Sequence, residues 1–107
     1  MGGTQSLFIG LNAVDKFSWI GAFSSGGLDP NFDRAYPQLD QATGKQLNLL
    51  WIACGKQDAL MQVNQDLMAW LKTKDVPFAW RGIEGGHSFL VWRRFLVEFL
   101  PQLFQTP

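Results

Sequence analysis

The 107 residues hold one cysteine, one histidine and one tyrosine, and their charges cancel, nine basic against nine acidic. A lone cysteine excludes an internal disulfide. Cys54 sits in the apolar run LNLLWIACG with no basic residue close enough to stabilise a thiolate, so it reads as a small buried hydrophobe and not a reactive thiol. One histidine, one cysteine and no clustered carboxylates are too few ligands for a metal site, and no pattern calls for another cofactor. Zero net charge excludes the basic excess that a nucleic-acid partner requires. It also removes the repulsion that keeps proteins apart, which eases self-association. No apolar stretch reaches the roughly 20 residues of a membrane span. The opening MGGTQSLFIGLNAVDKF lacks the positive flank and cleavage pattern of a signal peptide. Gly2 and Ser6 fit a myristoylation pattern loosely, but apolar residues follow instead of a polybasic stretch. The expectation is a soluble chain with no membrane partner; its compartment stays open.

What the chain does have is aromatic surface. Residues are 47% hydrophobic and 14% aromatic, with five tryptophans and nine phenylalanines. The length allows one domain, residues 1–107. So much aromatic material in so short a chain implies either an unusually dense core or a core shared with another chain.

Helical and extended patterns alternate. Residues 3–13 read as a helix, with Leu7 and Leu11 one turn apart and Gly2–Gly3 loosening its start. Residues 17–23 (FSWIGAF) read as a strand ending at a Ser-Ser-Gly-Gly turn, and Asp29-Pro30 opens a loop with one short helical turn before Pro37. Residues 47–54 are apolar without alternation, the pattern of a strand covered on both faces in a parallel sheet. Leu60, Val63, Leu67 and Leu71 mark one face of a helix over 60–73. Residues 78–84 form a third strand. Residues 88–104 form a last helix with a polar stripe at Arg94, Glu98 and Gln102, ended or kinked at Pro101. The class is α/β, with three parallel strands flanked by helices.

In open α/β sheets, reactive groups gather beyond the carboxyl ends of the strands. Asp58 follows the second strand in Cys-Gly-Lys-Gln-Asp, and His87 follows the third in Glu-Gly-Gly-His. If those strands are neighbours, the carboxylate reaches an imidazole nitrogen, which is the orienting half of a Ser-His-acid triad. Taken singly, each residue has a plainer reading: Asp58 as a turn or N-cap aspartate ahead of the next helix, His87 as a surface histidine at a helix start. Position alone leaves both readings standing.

Four stretches carry a resemblance: MGGTQSLFIGL, DKFSWIGAFSSG, LLWIACGKQDAL and GGHSFLVWRRFLVEFLPQLF, together running from Met1 to Phe104. The chain resembles the α/β-hydrolase esterases that include the esterase D-like, feruloyl and acetylxylan esterases. The resemblance implies a partial α/β-hydrolase fold and hydrolysis of an ester, often one on plant cell-wall carbohydrate. It implies Asp58 as the triad acid and His87 as the general base. Met1-Gly2-Gly3 looks like the tail of a nucleophile elbow Gly-x-Ser-x-Gly, with Met1 next after the serine, its backbone nitrogen an oxyanion-hole donor, and Gly2 the closing glycine.

The departure is the serine itself, which would precede Met1. Ser6, Ser18, Ser24, Ser25 and Ser88 lack the elbow context; Ser24 and Ser25 read as turn residues whose hydroxyls bond local backbone. A terminal amine, with a reference pKa of about 7.7–8.0, is a poor oxyanion donor. The expectation is therefore the C-terminal part of a serine esterase, inactive alone. It acts as an oligomerising scaffold or as a subunit completed by an upstream half. In the family sheet the 17–23 strand pairs with the elbow strand, so here its edge is bare and a homodimer through that edge is expected.

Overall fold

Strand β2 (Leu49–Gly55) is the organising element, because its side chains are buried on both faces, Leu50 and Ile52 on one and Trp51 and Ala53 on the other. A strand without a polar face has to be central and covered by helices on each side. In the computed structural model, which describes residues 1–105, it is. Strand β1 (Trp19–Phe23) pairs with β2 in parallel, Trp19 opposite Leu49, and strand β3 (Ala79–Ile83) pairs parallel on the other side, Trp51 opposite Ala79. The order is β1-β2-β3.

Helix α1 (Gly2–Leu11) precedes β1. The connection from β1 to β2 holds two short helices, α2 (Phe32–Ala35) and α3 (Gln41–Gly44). Helix α4 (Met61–Thr73) crosses from β2 to β3, and α5 (Phe89–Phe99) ends the sheet-covering structure, followed by a 3-10 turn over Leu100–Gln102. Leu7 and Leu11 of α1 and Leu67 and Leu71 of α4 pack with Ile20, Leu50 and Ile52 on one face of the sheet. Val91, Phe95 and Phe99 of α5 pack with Trp51, Ala53 and Ile83 on the other. The result is three layers with the sheet in the middle.

Several boundaries differ from the sequence expectation for local reasons. The first helix begins at Gly2, with Gly2–Gly3 inside it, because Met1 acts as its N-cap residue and its carbonyl accepts from the Gln5 amide at 3.1 Å. The first strand begins at Trp19, since the Ser18 carbonyl is taken by the amides of Asn48 and Leu49. Helix α3 was not foreseen. A capping box creates it: the Asp40 carboxylate accepts from the Thr43 amide, and the Thr43 hydroxyl accepts from the Asp40 amide. The regular part of the last helix stops at Phe99, two residues before Pro101. Among the described residues no helix is long and apolar enough to cross a membrane.

Candidate active site

Adjacent parallel strands put the carboxyl ends of β2 and β3 on one edge of the sheet, and the two loops leaving them are laced together. The Lys56 amide donates to the Ile83 carbonyl at 2.8 Å and the Gln57 amide to the Gly85 carbonyl at 3.0 Å. The Gln57 side chain accepts from the Gly85 amide at 2.6 Å and donates to the Glu84 carboxylate at 2.7 Å. This lacing needs Gly55, because a Cβ there would collide with the Gly85 carbonyl. The glycine that ends β2 is thus what lets the two loops touch.

Their contact brings Asp58 and His87 together. His87 Nδ1 lies 2.9 Å from Asp58 Oδ2, with the Asp58 side chain 1% exposed and the His87 side chain 47% exposed. Oδ1 of the same carboxylate accepts from the Leu60 amide at 2.9 Å, a turn bond. The carboxylate therefore makes the turn bond and the imidazole bond with separate oxygens. Burial pushes the Asp58 carboxyl up, but the Leu60 amide and the His87 imidazole outweigh it and hold it below the ordinary value. An ionised carboxylate only accepts, so it fixes the histidine with the proton on Nδ1 and the lone pair on Nε2. That is the tautomer a general base requires.

A third wall comes from the amino end of α1. Met1, Gly2 and Gly3 line a cleft of about 480 Å³ together with Ser24, His87 and Trp92. The expected oxyanion residue and the expected base thus border one cavity, with Asp58 bonded to His87. The helix reaches this position because Gly3 abuts the end of β1, where a Cβ would meet the Ser25 hydroxyl and the Phe23 carbonyl. A Cβ at Gly2 would meet nothing within 4 Å. Gly3, and not Gly2, is the glycine whose smallness this packing demands.

The serine turn after β1 departs from expectation. Ser24 is 1% exposed, has φ 48, and its hydroxyl accepts from the Trp92 indole at 3.1 Å instead of bonding local backbone. The Ser25 hydroxyl is buried and has no partner among the described residues. Buried Asn64 holds the Ser25 carbonyl at 3.0 Å. Trp92 also packs edge-on against His87, with ring centroids 4.7 Å apart and planes at 82°. Ser24 was read from the sequence only as a turn residue, and Asn64 and Trp92 were given no role there. Asn64 alone left a signal there, as an amide between Leu60 and Leu67 on the apolar face of a helix. Cys54 is buried, and burial, then the nearby Asp58 charge, pushes its thiol up to about 11. Among the described residues no three His, Cys, Asp or Glu side chains gather as a metal site.

Comparison with known proteins bears on the family and the fold. No family model matches the chain. An acetyl esterase of Caldicellulosiruptor saccharolyticus is 30% identical over 72 residues, covering 67% of the chain and 27% of that esterase. An iron(III) enterobactin esterase of Escherichia coli O6:H1 is 27% identical over 97% of the chain and 28% of its own length. A solved ferulic acid esterase superposes with a TM-score of 0.77 at 25% identity, covering 94% of the chain and 46% of the esterase. The chain spans about a quarter of the length of these curated relatives, at 27% and 28%, and about half of the solved one, at 46%. By sequence and by fold, the chain belongs to the α/β-hydrolase esterase family, of whose fold it spans a part.

Proposed function

We propose that the chain supplies the acid–base portion of a serine esterase, with Asp58 and His87 in the triad and the nucleophile serine contributed from outside these 107 residues. The observation that carries this reading is the 2.9 Å Nδ1–Oδ2 bond at the rim of a cleft shared with the amino end of α1. With a serine beside Met1, His87 Nε2 takes the hydroxyl proton as the serine oxygen attacks the ester carbonyl. The tetrahedral oxyanion accepts from the Met1 backbone N–H, which exists as an amide once a residue precedes it. The imidazolium returns the proton to the leaving alkoxide, and an acyl-serine remains. Water, deprotonated by the same nitrogen, then releases the acid. The acetyl esterase and the ferulic acid esterase among the relatives support an acetyl or feruloyl ester as the substrate, whereas the enterobactin esterase supports only ester hydrolysis in general.

None of the five serines in the chain has an elbow setting, so the polypeptide by itself is expected to be inactive. Loss of a triad nucleophile costs on the order of a millionfold in turnover. An aryl-ester assay on the purified chain, and on the chain mixed with an esterase half bearing Gly-x-Ser, tests this. The expected result is silence alone and turnover in the mixture, abolished by His87→Ala. Turnover by the chain alone that His87→Ala removes would overturn the reading. A mixture that forms a complex and stays inactive would favour an inert scaffold.

A further inference from the structure

Resting on that reading, we infer that Trp92 and Ser24 form a brace that holds the His87–Asp58 pair in register, making both of them positioning residues. A single hydrogen bond fixes one point of an imidazole and leaves the ring free to swing about it. His87, with its side chain 47% exposed, needs a second restraint. The Trp92 ring supplies one, standing edge-on to the imidazole at 4.7 Å and 82°. The indole is itself anchored, because its Nε1–H donates to the Ser24 hydroxyl at 3.1 Å.

Ser24 closes the circuit. It lies at the carboxyl end of β1, whereas Asp58 follows β2 and His87 follows β3, so the brace ties the ends of all three strands together. The backbone supports the same role. Ser24 sits at φ 48, a conformation that disfavours any side chain, yet it carries a hydroxyl where glycine would rest without strain. One side chain at the end of β1 thus anchors the indole that restrains the base.

His87 is the only histidine, so its ring nitrogens give one set of signals in a ¹⁵N-labelled sample. In mildly alkaline solution the wild-type ring is expected to hold its proton on Nδ1 and to exchange it slowly. Ser24→Gly deletes the hydroxyl while suiting the backbone, and Trp92→Phe keeps a ring beside His87 while deleting the N–H. Each is expected to speed Nδ1–H exchange by on the order of tenfold, the ratio that one lost hydrogen bond gives, and to mix in the Nε2–H tautomer. Ser24→Gly is expected to do so with no loss of thermal stability, which a merely structural serine would not allow. A wild-type Nδ1–H signal that neither variant disturbs would overturn the brace and leave the proposed function standing. A wild-type ring with its proton on Nε2 would instead show that the acid–base pair does not form, and both would fall.

Discussion

Asp58 accepts from the Leu60 amide and from His87 on separate oxygens, and its carboxyl is held below the ordinary 3.8 by those bonds against the opposing effect of burial. A carboxyl whose folded value is depressed stabilises the fold above its unfolded value and loses that contribution as pH falls through the folded one. Thermal melts are therefore expected to hold steady down to about pH 4 and then decline, with Asp58→Asn flattening that decline. In the completed enzyme the same substitution is expected to lower kcat by about 10⁴, because the amide stabilises the wrong imidazole tautomer. Cys54 makes a contrasting case: buried and with its thiol pushed up to about 11, it is expected to ignore thiol reagents until denaturant opens the core. Rapid labelling of the native chain would contradict that. The places of Asp58 and His87 beyond two strand ends were legible because each follows a strand closed by glycine, while the roles proposed for them came from the family resemblance. Trp92 and Ser24 were not legible. Nothing local says that an indole on α5 will reach a hydroxyl at the end of β1, or that Ser24 will adopt a positive φ.

At the scale of elements, the layers follow from which face of each segment is apolar. Phe95 is fully buried and packs its ring against Phe23 and Trp51 at 5.8 Å each, so it ties α5 to two strands at once. Phe95→Ala is expected to cost about 3–5 kcal/mol, read from denaturant unfolding, because the cavity lies between aromatic rings that cannot collapse into it. A loss below about 1 kcal/mol would mean that α5 is loosely docked. Gly55 has the opposite character, contributing by absence of a side chain where the Asp58 and His87 loops meet. Gly55→Ala is expected to part those loops and with them the 2.9 Å pair, removing the bonded Nδ1–H signal of His87 while the helices persist in circular dichroism. The sequence showed the strands through apolar runs closed by turn residues and the longer helices through periodicity, signals that need several residues to register. It missed α3, four residues long, because a helix that short is set by the Asp40–Thr43 capping box and carries no repeat.

On the scale of the whole molecule, the sheet has two outer strands, and β1 is flanked by uncovered apolar surface on α1 and at Phe17. Beside it a groove of about 480 Å³ runs between α1 and the strand, lined by Gln5, Ser6, Ile9, Phe17, Trp19 and Ile20. Phe8, Ile9 and Phe17 are 56%, 57% and 46% exposed, large side chains that a lone domain seldom leaves wet in one area. Zero net charge offers no repulsion to keep copies apart. An unpaired strand edge with apolar neighbours recruits another strand, and two copies satisfy each other if their β1 edges pair antiparallel about a two-fold axis. The chain alone is therefore expected to sediment as a dimer at micromolar concentration. Ile9→Lys with Phe17→Lys, both on exposed positions, is expected to shift it to monomer without altering the melting temperature of the core. An esterase half bearing Gly-x-Ser needs the same edge to complete the sheet, so adding it is expected to dissociate the dimer as activity appears. A compact monomer for the unmodified chain would refute the dimer. A dimer that survives both lysines would place the contact elsewhere than β1.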